Sequence, residues 1–410
     1  MKKFTFSRII NIIMFLYILS IYLFTFRDGL NSISNFLALV LIGSIWSNVL
    51  LTRKKIVFNK FLFIYFLFIF ICFVSVFFAI NQNTAVTKIN TIILIYLLMI
   101  SLINYIDTFE KLRSFLISFV YAGFITGINI LANSDFSQVT RYGSELGNVN
   151  SIGMIIGISS IFCFYFIIEE KRYLLYMPIM LINIFVVFLT GSRKALLFVV
   201  LTIIVILLIQ QKTGIKGKIK ALLGIIIILV LSLYVIFNVE LLYRIIGIRM
   251  EHLFTYIQGE GANEGSINIR ANMIDMGLEW FKERPIMGYG IDNFRSLYGV
   301  EAIGGEFTYS HNNFVELLVG IGVIGTFLFY LTHLIVLKKL YRESKKNYKS
   351  SLCYAFIAII SIYIILSVGL VYYYDKHISM ILAVGSIICK IGSLNNEELT
   401  QKNARIHKES

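Results

Sequence analysis

Long apolar runs alternate with short polar connections along most of this chain. They cover about 9–26, 30–51, 61–80, 89–104, 114–133, 149–168, 173–190, 195–210, 221–238, 312–337, 351–371 and 377–392. A helix rises about 1.5 Å per residue, so runs of this length match the hydrocarbon core of a bilayer. The pattern predicts an all-α, polytopic membrane helical bundle of about twelve transmembrane helices. Two runs, 89–104 and 377–392, are short for a span, and Lys390 can snorkel at the end of the second. The first run has basic residues before it, as a signal peptide does. Phe24-Thr25-Phe26-Arg27 offers no small-residue cleavage site, so it reads as a retained span.

One long polar interruption, Val239 to Ser310, breaks the rhythm. The organisation expected is therefore helices one to nine over 1–238, a large loop over 239–310, helices ten to twelve over 311–392, and a tail over 393–410. Within the loop, Ile269, Met273, Met276 and Trp280 step by helical intervals, with Arg270, Asp275, Glu279 and Lys282 on or near the other faces. This predicts an amphipathic helix from Ile267 to Lys282, lying on the membrane surface or capping the bundle. Pro285 stops it, and Gly288-Tyr289-Gly290 reads as a flexible turn. The same triplet occurs in potassium filters, but the rest of that signature is missing.

Composition agrees with the pattern. The chain is 58% hydrophobic and 15% charged, against about 25% charged for a soluble domain. Its net charge of +14 raises the question of nucleic acid, and the placement of the charge answers it. Lys2, Lys3 and Arg8, Arg53 to Lys60, Lys111 and Arg113, Lys171 and Arg172, Lys212 to Lys220, Lys338 to Lys349, and Lys390 to Lys408 all fall on alternate connections. By the positive-inside rule these connections and both termini are cytoplasmic. The basic excess is a topology signal, and no nucleic-acid partner is needed. Cys72, Cys163, Cys353 and Cys389 stand singly in apolar runs, with no disulfide or metal spacing. No phosphate-binding glycine loop appears on the cytoplasmic side.

With that orientation the outer face carries Ser134–Gly147, the tight turn Thr190-Gly191-Ser192-Arg193-Lys194, and the loop 239–310. A guanidinium so close to hydrocarbon is costly unless it snorkels or meets an anion. Arg193 and Lys194 therefore suit either a headgroup anchor or a phosphate site, since Arg binds phosphate through two parallel hydrogen bonds. His311 is the candidate for proton chemistry, with an imidazole whose ordinary pKa is about 6.5. Position alone allows it to be only a helix-start residue, as Asn312 and Asn313 are. None of the five histidines shows zinc-site spacing, so no metal is expected.

Three blocks in order resemble the signatures of the O-antigen ligase and polymerase superfamily. They are Leu189 to Leu197; Arg270 with Trp280 and Glu283-Arg284-Pro285-Ile286-Met287-Gly288-Tyr289-Gly290-Ile291-Asp292-Asn293-Phe294; and Ser310-His311-Asn312-Asn313 through Gly325. Gly147-Asn148-Val149-Asn150 resembles that family's Asn-rich opening of a span, with Val149 where proline is frequent. Lys194 stands where a small residue is common. The resemblance implies a GT-C-like glycosyltransferase of the bacterial cytoplasmic membrane, using an undecaprenyl-diphosphate-linked oligosaccharide and no cofactor or metal. It also implies that Arg193 and Arg270 hold the donor diphosphate and that His311 deprotonates the acceptor, with Lys194, Arg284 and Asn312 in support. A polysaccharide polymerase is expected, working beside a flippase and a chain-length regulator. An O-antigen ligase and a protein O-oligosaccharyltransferase are the alternatives, and a lipid-linked sugar flippase is the rival of another class.

Overall fold

In the computed structural model, residues 6–27, 29–136, 141–210, 215–258, 265–301, 307–345, 350–388 and 391 are described. They form helices α1 (Phe6–Phe24), α2 (Asn31–Leu51), α3 (Lys60–Val76), α4 (Gln82–Tyr105), α5 (Phe109–Asn133), α6 (Val149–Glu170), α7 (Tyr173–Leu189), α8 (Arg193–Gln210), α9 (Ile215–Asn238), α10 (Glu240–Leu242), α11 (Ile248–Ile257), α12 (Gly265–Glu283), α13 (Phe294–Glu301), α14 (Asn313–Ser344), α15 (Ser350–Leu366) and α16 (Lys376–Gly385). Strands are absent among the described residues. The expected tail 393–410, Lys390 and Cys389 lie outside them.

Every apolar run of the sequence falls on one of these helices, and the chain is a multi-pass membrane protein. Six helices, α1, α2, α4, α5, α6 and α14, are each long and apolar enough to cross a bilayer. Helices α3, α7, α15 and α16 are apolar but shorter. Side-chain caps set several starts: Asn59 accepts from Leu62 N–H, Asn81 from Thr84, Thr108 from Lys111 and Asn148 from Asn150 and Ser151. Helix α6 is the centre of the bundle, with 83% of its spanning window buried; it packs on α5, α7, α8 and α15. Gly153 and Gly157 let α8 approach, since a Cβ at either would crowd Ala195, Thr190 or Phe198.

Two spans are broken, and both breaks shape the same end of the bundle. Helix α9 ends at Asn238 and the chain turns through 92° into the following helical stretch. That stretch winds through a π-turn at Tyr243–Gly247, a local form often found where a helix is bent for function. Its buried Ile245 brings a carbonyl against Gly191.

The second break is in α14, at Gly322 (φ 63°, ψ −170°). Breaking a helix in hydrocarbon frees backbone groups that must be paired again. The segment after Pro285 does this. Val319 carbonyl accepts from Tyr289 N–H at 2.8 Å, Gly320 carbonyl from Gly290 N–H at 2.9 Å, and Val323 N–H donates to Pro285 carbonyl at 2.8 Å. The Gly288-Tyr289-Gly290 triplet, expected as a flexible turn, is instead buried and fastened to the broken helix. Its glycines are needed because φ is 66° at Gly288 and 98° at Gly290, against the backbones of α14 and Ala79.

The amphipathic helix is present as α12, one or two residues longer at each end than expected. Its apolar face rests on protein: Met273 and Trp280 pack with Phe294, Val315 and Val319, and Gly277 leaves room for Val315. Ile269 stays largely exposed.

Candidate active site

Four separate elements converge at the end of the bundle where these breaks lie. The first is the start of α8. Thr190 ends α7, Gly191 takes φ 57°, and Ser192 Oγ accepts from Ala195 N–H to open the new helix. Arg193 and Lys194 therefore stand in the first turn of α8, where unpaired N–H groups and the helix dipole already favour an anion. Arg193 donates to the carbonyl of Arg249 on α11. Arg141 packs over the same turn, donating to Thr190 carbonyl and to Asn150 Oδ1, each at 2.8 Å.

The second element is the start of α14. His311 has φ 56°, an uncommon backbone state for a side chain of its size. Its ring lies against Tyr309, with centroids 4.3 Å apart, and Tyr309 Oη accepts from Asn148 Nδ2 at 3.2 Å. Asn312 caps the helix by accepting from Phe314 and Val315 N–H. Asn313 does more than start a helix. Its Oδ1 accepts from Tyr372 and Tyr373 N–H at 3.0 and 3.1 Å, and its own N–H donates to Ser367 carbonyl. This ties in the third element, the connection between α15 and α16, which carries Asp375. The fourth is α12, which brings Arg270.

A cavity of about 40 Å³ lies between them, lined among others by Asn148, Asn150, Lys194, Tyr309, His311 and Asp375. That is room for a water or a hydroxyl, not for a sugar ring, so a larger substrate must enter with side-chain movement. Burial first, then the positive charges of Arg270 and Lys194, push the His311 imidazole down to about 4. Lys194 in turn lies within electrostatic reach of Arg270, Arg193, Arg141 and Arg249. Asp375 is pushed up to about 7 by burial, opposed by Lys88. His377 Nε2 is 2.9 Å from Tyr363 Oη and 3.9 Å from Asp375 Oδ2.

The structure thus gathers His311, Lys194, Arg270 and Arg193 from positions far apart in the chain. It leaves Arg284 elsewhere: that side chain is exposed and stacks over Tyr289, 4.5 Å from the ring centroid. Asn312 acts as a cap and does not line the cavity. Sequence reasoning did not point to Tyr309, Asp375 or His377 beside His311, or to Arg141 and Arg249 near Lys194. Arg141 and Arg249 carried a readable signal, since each is a cation on a segment expected at the outer face; Asp375, at the edge of an apolar run, carried little.

No curated protein matches the chain significantly. Residues 178–330, from α7 through the first half of α14 and beyond its break, match the family model described as O-Antigen ligase. That span holds Arg193, Lys194, Arg270 and His311 together, and over it the chain is similar to the O-Antigen ligase family.

Proposed function

We propose that this protein is a glycosyltransferase joining polyprenyl-diphosphate-linked oligosaccharide units into a surface polysaccharide, by inverting, metal-independent transfer at the outer face of a bacterial cytoplasmic membrane. The observation that carries the reading is that His311 and Lys194 line one cavity, with Arg270 within electrostatic reach of both, inside the family-matched region. In this proposal about twelve helices span, both termini are cytoplasmic, and 239–310 is the extracytoplasmic loop.

Arg193 and Arg270 grip the donor diphosphate and stabilise the charge that grows on it as the sugar leaves. Lys194 adds charge at the α8 N-terminus. Neutral His311 accepts the proton of the acceptor hydroxyl, which attacks the anomeric carbon from the face opposite the diphosphate. A base held near 4 by burial, and further by Arg270 and Lys194, is weak, and those two cations are the ones the donor would neutralise. Donor binding therefore raises the basicity of His311 in the complex that needs it.

The acceptor decides between readings. We favour a second lipid-linked unit, hence a polymerase; the similarity to the O-Antigen ligase family favours a ligase. Loss of a polymerase leaves single repeat units on the lipid, loss of a ligase leaves long lipid-linked polymer, and loss of a flippase traps units inside. The enzymatic test is transfer between lipid-linked units by the purified protein, with His311→Asn beside wild type. Asn keeps a polar, αL-tolerant residue but cannot accept the proton. Full activity in His311→Asn with an unchanged pH profile would remove the base from the mechanism. For orientation, a cysteine at Lys345 is expected to resist an impermeant thiol reagent in whole cells, while one near Glu260, outside the described residues, is expected to react.

A further inference from the structure

Beside the cavity lies a second charged cluster that the mechanism does not use. Lys88 of α4 stands 3.5 Å from Asp292 Oδ2 and 3.5 Å from the centroid of the Tyr374 ring. Arg295 of α13 donates to Asp292 Oδ1 at 3.1 Å. Asp292 itself is 4% exposed and has φ 61°. Glu316 of α14 is 1% exposed and feels the charges of both Lys88 and Arg295. One of its oxygens, Oε1, has no hydrogen-bond partner. The other, Oε2, accepts the backbone N–H of Ser310 at 2.8 Å.

That last bond points at His311. Ser310 Oγ donates to Asn312 carbonyl at 2.8 Å, and Asn312 N–H donates back to Ser310 Oγ at 3.2 Å. The residue between them is held at positive φ, a state worth of order 1–3 kcal/mol of strain for a side chain this large. Strain of that kind persists only where neighbours over-determine it. The Ser310–Asn312 bonds close the turn on itself; the Asn312 cap ties its downstream end to α14, and the Glu316 carboxylate ties its upstream end, Ser310, to the same helix. A buried carboxylate with one oxygen left without a partner is an expensive way to hold one amide unless the position of the turn matters.

We propose that Glu316 is a positioning residue: through the Ser310 amide it fixes the His311 imidazole in the cavity. The proposal rests on the reading of His311 as the base, but the geometry it asserts can be tested separately. Glu316→Gln keeps an oxygen that can accept from Ser310 N–H; Glu316→Leu keeps the bulk and loses the acceptor. Misplacing a reacting group by about 1 Å costs up to roughly 100-fold in rate. The Leu variant is therefore expected to lose about that much in kcat at nearly unchanged donor KM, with Gln restoring most of it.

The second readout needs no glycosyl transfer. Diethyl pyrocarbonate acylates neutral imidazole, and mass spectrometry of the whole purified protein in lipid discs gives the rate at His311. That rate is expected to change several-fold in Glu316→Leu and to match wild type in Glu316→Gln. An unchanged His311 rate and kcat in the Leu variant overturns the proposal. Equal loss in both variants with intact folding also overturns it, since charge alone would then be at work. So does a loss that only follows falling thermal stability. If wild type transfers no sugar at all, the functional reading fails while the labelling still decides where Glu316 acts.

Discussion

Two charged clusters sit side by side at one end of this bundle, and they are built on opposite plans. Around Asp292 two cations, Lys88 and Arg295, meet two carboxylates, Asp292 and Glu316, and aromatic rings close the space. Around His311 the charges acting most strongly are positive: Arg270 and Lys194 on the imidazole, and four guanidinium groups on Lys194. Balanced charge, with both carboxylates buried and both cations partly so, holds elements together. Like charge crowded round a cavity costs energy that an anionic ligand offsets, and perturbation of this kind gathers at functional sites. The two plans share a border at Ser310–Asn312, so the structural cluster can hold the reactive one in place.

The sharpest way to break the comparison is at the imidazole. His311→Ala is expected to slow transfer by roughly two to four orders of magnitude, the usual worth of a positioned base, while donor binding survives. The pH profile sharpens it further. His311 acts when neutral, so kcat/KM of wild type should hold as pH falls and drop only through about 4. The midpoint of kcat should lie higher, because bound diphosphate offsets Arg270 and Lys194 in the complex. Coincident midpoints would mean that the cations do not meet the donor.

Breaking the balanced cluster should show first in stability. Asp292→Ala leaves Lys88 and Arg295 facing one another in a buried site, and breaking a buried pair costs about 3–5 kcal/mol. Thermal unfolding in detergent should report it as a large fall in midpoint; a change in donor KM with no loss of stability would place Asp292 in the reactive cluster instead. Arg193→Lys is expected to be milder. It keeps the charge and loses the two-pronged contact, worth roughly 10- to 100-fold for a hydrogen bond to a charged group. Titration of a lipid diphosphate against the variant measures it directly.

The smallest effect belongs to the other end of the bundle. Lys54 and Lys111 both pair with Asp107 there, about a third of the Lys54 and Asp107 side chains being exposed. Lys54→Ala should cost at most about 1 kcal/mol and leave transfer unchanged. A large loss of activity would mean that the end of the bundle proposed to be cytoplasmic takes part in more than topology.

How much of this was legible in the sequence follows from which forces act locally. Apolar runs declare themselves because every residue in them must be compatible with hydrocarbon, and each run became a helix. The caps were legible for the same local reason, Asn148 and Asn312 lying just ahead of the helices they open. Arg193, Arg270 and His311 were legible as a set only through their resemblance to a family, since nothing local joins residues so far apart. Arg284 could not be placed from its block, which gives no direction for the side chain; the direction came from Tyr289.

The sequence by itself determined the membrane class, the helices and the polar interruption, because burial in lipid constrains each short segment independently of the rest. The break in α14 was the tertiary structure's decision. Gly322 can adopt its positive φ within any chain, but the break is tolerable only where the segment after Pro285 returns the missing backbone hydrogen bonds. The company His311 keeps was decided in the same way. A pair of charges separated by many residues has no energy until folding fixes the distance between them, and Asp375, Lys194 and Arg270 reach the imidazole only through packing of four elements.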